Sequence, residues 1–211
     1  MPKTATMSTA PEPVEVKGVA LGTVIVPIIG TSPLIMHRWS EKAKRLLLDR
    51  AQGRKAPKEP KDPHQEYMAA LYELSDGRYG FPSVAFKSAT VGAARFFGKD
   101  LTMTMLRQSI FVDGELGVDS QKLVEIFGDQ RMREDVVRLP NNGTEMRYRP
   151  EFVEWSANLR VSFAKNMLTL DTLLSLIQGA GFGVGVGEWR PEKRGDFGTF
   201  TIDESKEVEI L

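Results

Sequence analysis

Apolar and polar residues alternate most cleanly between Glu151 and Ala164. Val153, Trp155, Ala157, Leu159, Val161 and Phe163 take turns with Glu154, Ser156, Asn158, Arg160 and Ser162. A period of two places the first set on one face of a strand and the second on the other. Trp155 belongs to the buried face; the polar face is either plain solvent exposure or a binding platform. Val16 to Ile29 is richer in Val and Ile and is apolar on both faces towards its end, which predicts a central strand. Pro27 lacks an N–H and predicts a bulge or strand end there. Residues 197 to 210, with Gly198 to Ile202 first, supply one or two closing strands.

Elsewhere the rhythm is helical. Ser40 caps a helix from about Glu41 to Ala51, with Ala43, Leu46 and Leu47 on its buried side. Pro63 to Leu74 carries Tyr67, Ala70, Leu71 and Leu74 at helical spacing. Pro82 and Ser83 open a third helix to about Phe97, ended by Gly98; its small residues allow close packing on a sheet. Residues 100 to 107 add one or two helical turns. Thr169 or Asp171 caps a last helix, Leu170 to Gln178. Short strands are expected at Arg78 to Phe81, Ser109 to Val112 and Leu123 to Phe127. Gln130 to Arg138 and Thr144 to Pro150 read as arms of a β-ribbon closed at Asn141-Asn142-Gly143.

This order predicts an α+β fold, an antiparallel sheet with helices on one face. The specific expectation is a ferredoxin-like (RRM-like) core with an inserted β-ribbon at about 130–150. Residues 1–15 read as a disordered polar tail, and 16–211 as a single domain. Gly53 to Pro63 reads as a flexible Pro/Lys loop.

Composition narrows the chemistry. Lys+Arg 28 balance Asp+Glu 28, so only the distribution of charge can point to a polyanion. There is no Cys, which excludes disulfides, thiolate metal sites and a cysteine nucleophile. Two histidines are too few for a His-rich metal site. No apolar run reaches the roughly 18 residues of a membrane helix. The expectation is a cytoplasmic protein without membrane contact and without a cofactor.

The stretch with most chemical content is Gly179 to Phe200. Glycines at 179, 181, 183, 185 and 187 lead into Trp189, Arg190, Lys193 and Arg194. Gly183 and Gly185 would keep the backbone thin enough for a ligand to approach. Successive N–H groups there can form an anion nest. A flat aromatic beside three cations suits a phosphate backbone with a base to stack on. The plainer reading is a glycine-rich connection whose Phe and Val pack into the core. Neither a Walker loop nor a dinucleotide fingerprint is present.

Further cations lie in two groups. From His37 to His64 there are nine Lys/Arg against four Asp/Glu, with His37, Arg38, Trp39, Lys42 and Arg45 the candidates for contact. On the ribbon, Arg131 and Arg133 share a face of one arm, and Arg147 and Arg149 a face of the other. Glu134, Asp135 and Glu145 dilute that charge. Lys87 and Arg95 are available on the third helix. Each group is either a solvated face or a phosphate-tracking patch.

The layout of Val19 to Trp39, the late helix running into Gly179 to Gly198, and the ribbon between them resembles the RAMP superfamily. The likeness is strongest to the RNA-binding backbone subunits of CRISPR effector complexes. Its small size and neutral charge look more like a phage or mobile-element relative, which would work in a bacterial host cell. The resemblance implies a ferredoxin-like core and single-stranded nucleic-acid binding along a head-to-tail assembly. It does not separate DNA from RNA.

The leading expectation is therefore a non-catalytic protein that binds single-stranded DNA or RNA as a homo-oligomer or filament. Trp189, with Trp39 or Tyr148, would stack on bases. The alternatives are a virion-type scaffold protein and, third, an endoribonuclease. In the last, His37 would act as general acid or base beside Arg38 or a nearby Lys.

Overall fold

A computed structural model describes residues 18–54, 60–138 and 143–211. The expected tail, residues 55–59 of the Pro/Lys loop and residues 139–142 at the tip of the ribbon lie outside these residues. The strands and helices in chain order are β1 (Leu21–Gly30), β2 (Leu34–Ile35), α1 (Glu41–Ala51), α2 (Pro63–Ala69), β3 (Gly80–Pro82), α3 (Ser83–Gly92), α4 (Met103–Ser109), β4 (Ile110–Val112), β5 (Glu115–Leu116), β6 (Lys122–Glu125), β7 (Gln130–Arg138), β8 (Thr144–Phe152), β9 (Ser156–Ala164), α5 (Leu170–Gly183), β10 (Phe200–Ile202) and β11 (Glu209–Ile210).

The principal sheet is antiparallel in the order β10-β1-β9-β4, with β11 also pairing with β1. Val24, Val26 and Ile28 of β1 and Ala157, Leu159, Val161 and Phe163 of β9 point to one face. There they join Phe86 and Ala89 of α3 and Leu173, Leu176, Ile177 and Ala180 of α5 in one apolar core. Trp155 closes this core at the sheet end, its Nε1 donating to the Ser32 carbonyl at 2.9 Å. The opposite face of β9 keeps Asn158 and Arg160 exposed. Two smaller sheets, β2-β8-β7 and β3-β6-β5, flank the main one.

Several local expectations change. Pro27 makes neither a bulge nor a strand end: Pro27 lies opposite Asn158 within an unbroken register. Its carbonyl accepts from the Asp203 N–H at 2.9 Å, just beyond the short pairing with β10. The missing N–H thus falls between the β10 and β11 segments and interrupts no ladder with β9.

Helix α1 starts at the Ser40 cap as expected, with the Ser40 hydroxyl accepting from the Ala43 N–H at 3.1 Å. It buries none of its residues, and Leu47 and Leu48 are exposed. Helix α2 stops at Ala69, because Leu74 turns back through Asp76-Gly77 and donates to the Arg78 carbonyl. Leu71 and Leu74 are buried all the same. Strand β9 begins at Ser156, so Val153 sits in the preceding bend and is exposed. After α3 the chain tightens into a 3-10 turn, Ala93–Phe96, before Gly98.

Candidate nucleic-acid interface

The ribbon face expected to offer arginines to phosphate is a closed ion-pair network. Directly opposed residues of antiparallel strands share a face, and the register sets Arg131 against Glu151, Arg133 against Arg149, and Asp135 against Arg147. Glu151 accepts from Arg131 Nε at 2.7 Å and from Arg133 at 2.8 Å. Asp135 accepts from Arg133 Nε at 2.8 Å and lies 3.5 Å from Arg149. Glu145 lies 3.4 Å from Arg147 and 3.1 Å from Lys61.

Arg149 is the largest departure from expectation, being only 2% exposed. Its Nε has no hydrogen-bond partner, and burial pushes its guanidinium down from the usual value. Arg131 remains largely exposed, although its Nε is held. Burial raises the Glu151 carboxyl, but Arg131 and Arg133 outweigh burial and leave it below the ordinary Glu value. Of the acids that dilute the charge in sequence, Asp135 faces Arg147 across the strands, Glu145 pairs with Arg147 along its own strand, and Glu134 lies opposite Tyr148. The face is neutralised rather than left basic.

The glycine stretch is half helix. Gly179, Gly181 and Gly183 belong to α5. A Cβ at Gly183 would meet the tip of the Phe96 ring, which is half-exposed and would have to swing aside. Gly185, at φ +70°, begins the loop proper, and a Cβ would meet Pro191 Cδ at 2.8 Å. The chain then lies across β2: the Glu188 N–H donates to the Ile35 carbonyl at 3.0 Å and the Gly198 N–H to the Pro33 carbonyl at 2.8 Å.

Trp189 follows at φ +51°, an uncommon conformation for a bulky residue. Its ring centroid lies 5.0 Å from the Arg149 guanidinium carbon, 5.4 Å from that of Arg133, and 6.0 Å from the Phe197 ring. Arg190 pairs with Glu192 at 2.9 Å and donates to the Gly187 carbonyl at 3.1 Å. Trp189 and Arg190 therefore fasten the loop to its own protein. Lys193 and Arg194 are exposed and form no ion pair among the described residues.

Other expected contacts are dispersed. His37 Nδ1 lies 3.6 Å from Glu188 Oε1, and Arg149 lies 3.7 Å from Glu188 Oε2. The His37 ring and Arg149 hold the Glu188 carboxyl below the ordinary value against the opposing effect of burial. Arg38 is bound to Asp119 at 3.2 Å. Trp39, 55% exposed, leads into α1, where Lys42 and Arg45 are also exposed. Lys87 Nζ stands 3.9 Å above the Phe111 ring, its pKa lowered by burial. Arg95 is exposed in the 3-10 turn that follows α3.

Two features escaped the sequence reading. Phe96, Phe97 and Phe182 are 53%, 40% and 79% exposed. Phe97 packs over Gly179 and Phe96 over Gly183, so the aromatics gather at the C-terminal end of α5. Arg95 and Lys99 flank them in sequence. Lys193 and Arg194 follow the Glu192 N–H, which donates to the Val184 carbonyl at 3.2 Å. The available signal was phase: carried past Gln178, the Leu173–Ile177–Ala180 stripe leaves Phe182 facing outward. The second feature is a cleft of about 280 Å³ between α3 and the glycine loop. Its polar lining includes His37, Tyr72, Ser88, Glu188, Arg190 and Glu192.

Among the described residues, no group of three or more His, Asp or Glu could hold a metal ion. No helix among them is long and apolar enough to cross a membrane. No protein-family model and no curated protein matches the chain. Among solved structures, the chain is similar to the crystal structure of Cmr6 from Pyrococcus furiosus, with a TM-score of 0.44 and 10% sequence identity. That likeness covers 88% of this chain and 100% of that one.

Proposed function

We propose that this protein is a non-catalytic single-stranded nucleic-acid-binding protein built on a ferredoxin-like core, and that copies assemble along the strand. The observation that carries the reading is the exposed trio Phe96, Phe97 and Phe182, with exposed Arg95 and Lys99 beside it in sequence and exposed Lys193 and Arg194 following Glu192, which is bonded to Val184 at the end of α5. Exposed rings stack on unpaired bases of any sequence, and flanking cations follow the phosphates. Three exposed rings on and beside the last turn of α5 mark a candidate interaction surface. The core assignment is supported by the strand order β10-β1-β9-β4, with α3 between β1 and β4 and α5 between β9 and β10.

Assembly draws support from α1. An isolated helix of 11 residues is marginal in water, and this one keeps Leu47 and Leu48 outside. The testing experiment is fluorescence anisotropy with single-stranded DNA, single-stranded RNA and duplex at two salt concentrations. Tight, salt-sensitive binding to one or both single strands, and weaker binding to duplex, is the expected result. No binding to any of the three at low salt would overturn the reading.

A further inference from the structure

We propose that the cleft between α3 and the glycine loop holds one unpaired nucleobase, with guanine as the preferred base; this rests on the single-strand reading above. The cleft volume, about 280 Å³, lies at the lower end of ligand pockets. That size suits one base. Its walls are of the right kind: Val84, Ala85 and Val184 are apolar, whereas Glu188, Glu192 and Ser88 bring oxygen acceptors.

Glu188 is the residue best prepared for recognition. Its backbone is tied to β2 through the Ile35 carbonyl. Its carboxylate stands between His37 at 3.6 Å and Arg149 at 3.7 Å. Both distances exceed a normal hydrogen bond, so the oxygens are positioned electrostatically and retain acceptor capacity. A carboxylate accepts only, and its two oxygens match two adjacent N–H donors. The Watson–Crick edge of guanine presents such a pair, from its ring N–H and exocyclic amine. Adenine, cytosine and thymine or uracil do not present two adjacent N–H donors there. Glu192 stands on the same cleft with its Oε2 engaged by Arg190.

Placement links the cleft to the proposed strand surface. Val184 and Glu192 line the cleft and are hydrogen-bonded to each other through their backbones. They adjoin Gly183, against which Phe96 packs, and Lys193. A strand stacked on the aromatic trio would therefore pass the cleft within a few residues of the loop.

The test compares oligo-dT and oligo-U with the same strands carrying one central guanine, in anisotropy titrations of the full chain. The central guanine is expected to tighten binding at least about fivefold, the lower range for one well-made base contact. Ser88→Phe, at an exposed position on the cleft wall, should erase that gain and leave oligo-dT or oligo-U binding unchanged. Glu188→Gln should also erase it, and thermal melts of both variants establish that they are folded. Equal affinity with and without guanine overturns the base pocket alone. So does a guanine gain that survives in folded Ser88→Phe. Failure to bind any of the strands overturns the single-strand reading itself, and the pocket with it.

Discussion

Arg149 and Trp189 form a cation–π pair, the guanidinium carbon 5.0 Å from the ring centroid. The two residues come from β8 and from the loop after α5, so the pair fixes that loop to the ribbon. A ring held in this way is not a bare stacking platform. Trp189→Ala is expected to lower the melting temperature, with a cost below the about 3–5 kcal/mol of a fully buried aromatic. Single-strand affinity of the folded variant should stay within a factor of about two, far less than the loss of a stacked base. Thermal melts alongside oligonucleotide titrations measure both.

Arg149 should also matter for stability. Its removal leaves Asp135, itself buried, and Glu188 without a shared cation. Leaving a buried charge wholly unpaired costs about 3–5 kcal/mol, and the cost here is smaller, about 1–3 kcal/mol, because Asp135 keeps Arg133 and Glu188 keeps His37. Arg149→Met, which keeps much of the volume, is expected to lose stability of that order in urea unfolding. Arg149→Lys should restore only part of it, because an ammonium cannot span both carboxylates with a planar fork.

The same network gives a pH dependence. Glu151 and Glu188 both have folded values below that of an ordinary Glu. A depressed carboxyl contributes stability that is complete above its unfolded value, about 4.3, and is lost as pH falls through the folded value. The melting temperature should change little through these groups between neutrality and about pH 5, then drop towards pH 3. Glu151→Gln should start less stable and show a shallower acid decline in melts taken across that range.

The aromatic trio predicts the reverse of Trp189. Phe182 is 79% exposed, so Phe182→Ala should leave the melting temperature nearly unchanged. It should weaken single-strand binding by about 1–3 kcal/mol, the value of one stacked base. Replacing Arg95 and Lys193 together by Gln should weaken binding to all sequences alike. It should also reduce the slope of log affinity against log salt by about 1.4, at roughly 0.7 per phosphate contact on a single strand.

Helix α1 gives a separate test of assembly. Leu47→Lys with Leu48→Lys alters only exposed positions, so stability should move by no more than about 0.5 kcal/mol per site. If copies meet through this helix, the double variant should sediment as a smaller species than the parent protein. An unchanged sedimentation coefficient would remove α1 from the assembly contact.

Patterns that depend on neighbours in the chain were legible in advance. The alternation from Ala157 to Phe163, the Ser40 cap, the ribbon arms and the Gln178 helix follow from local sterics and period. So does the burial of Trp155, set by the face it shares with Ala157. What happened to the charges was not legible. Arg131, Arg133, Arg147 and Arg149 read as a basic face, because a sequence shows spacing along one strand and not the partner opposite. Only the β7–β8 register brought Glu151 and Asp135 against them, and only the folded loop added Glu188. Likewise, a glycine can serve a helix contact or a turn. Gly183 ends helix α5, where Phe96, far away in sequence, packs over it. Gly185 turns because the chain must then reach Pro33 and Ile35. Local periodicity settled the elements; long-range pairing, which carries no local signal, settled which cations face water and which hold the protein together.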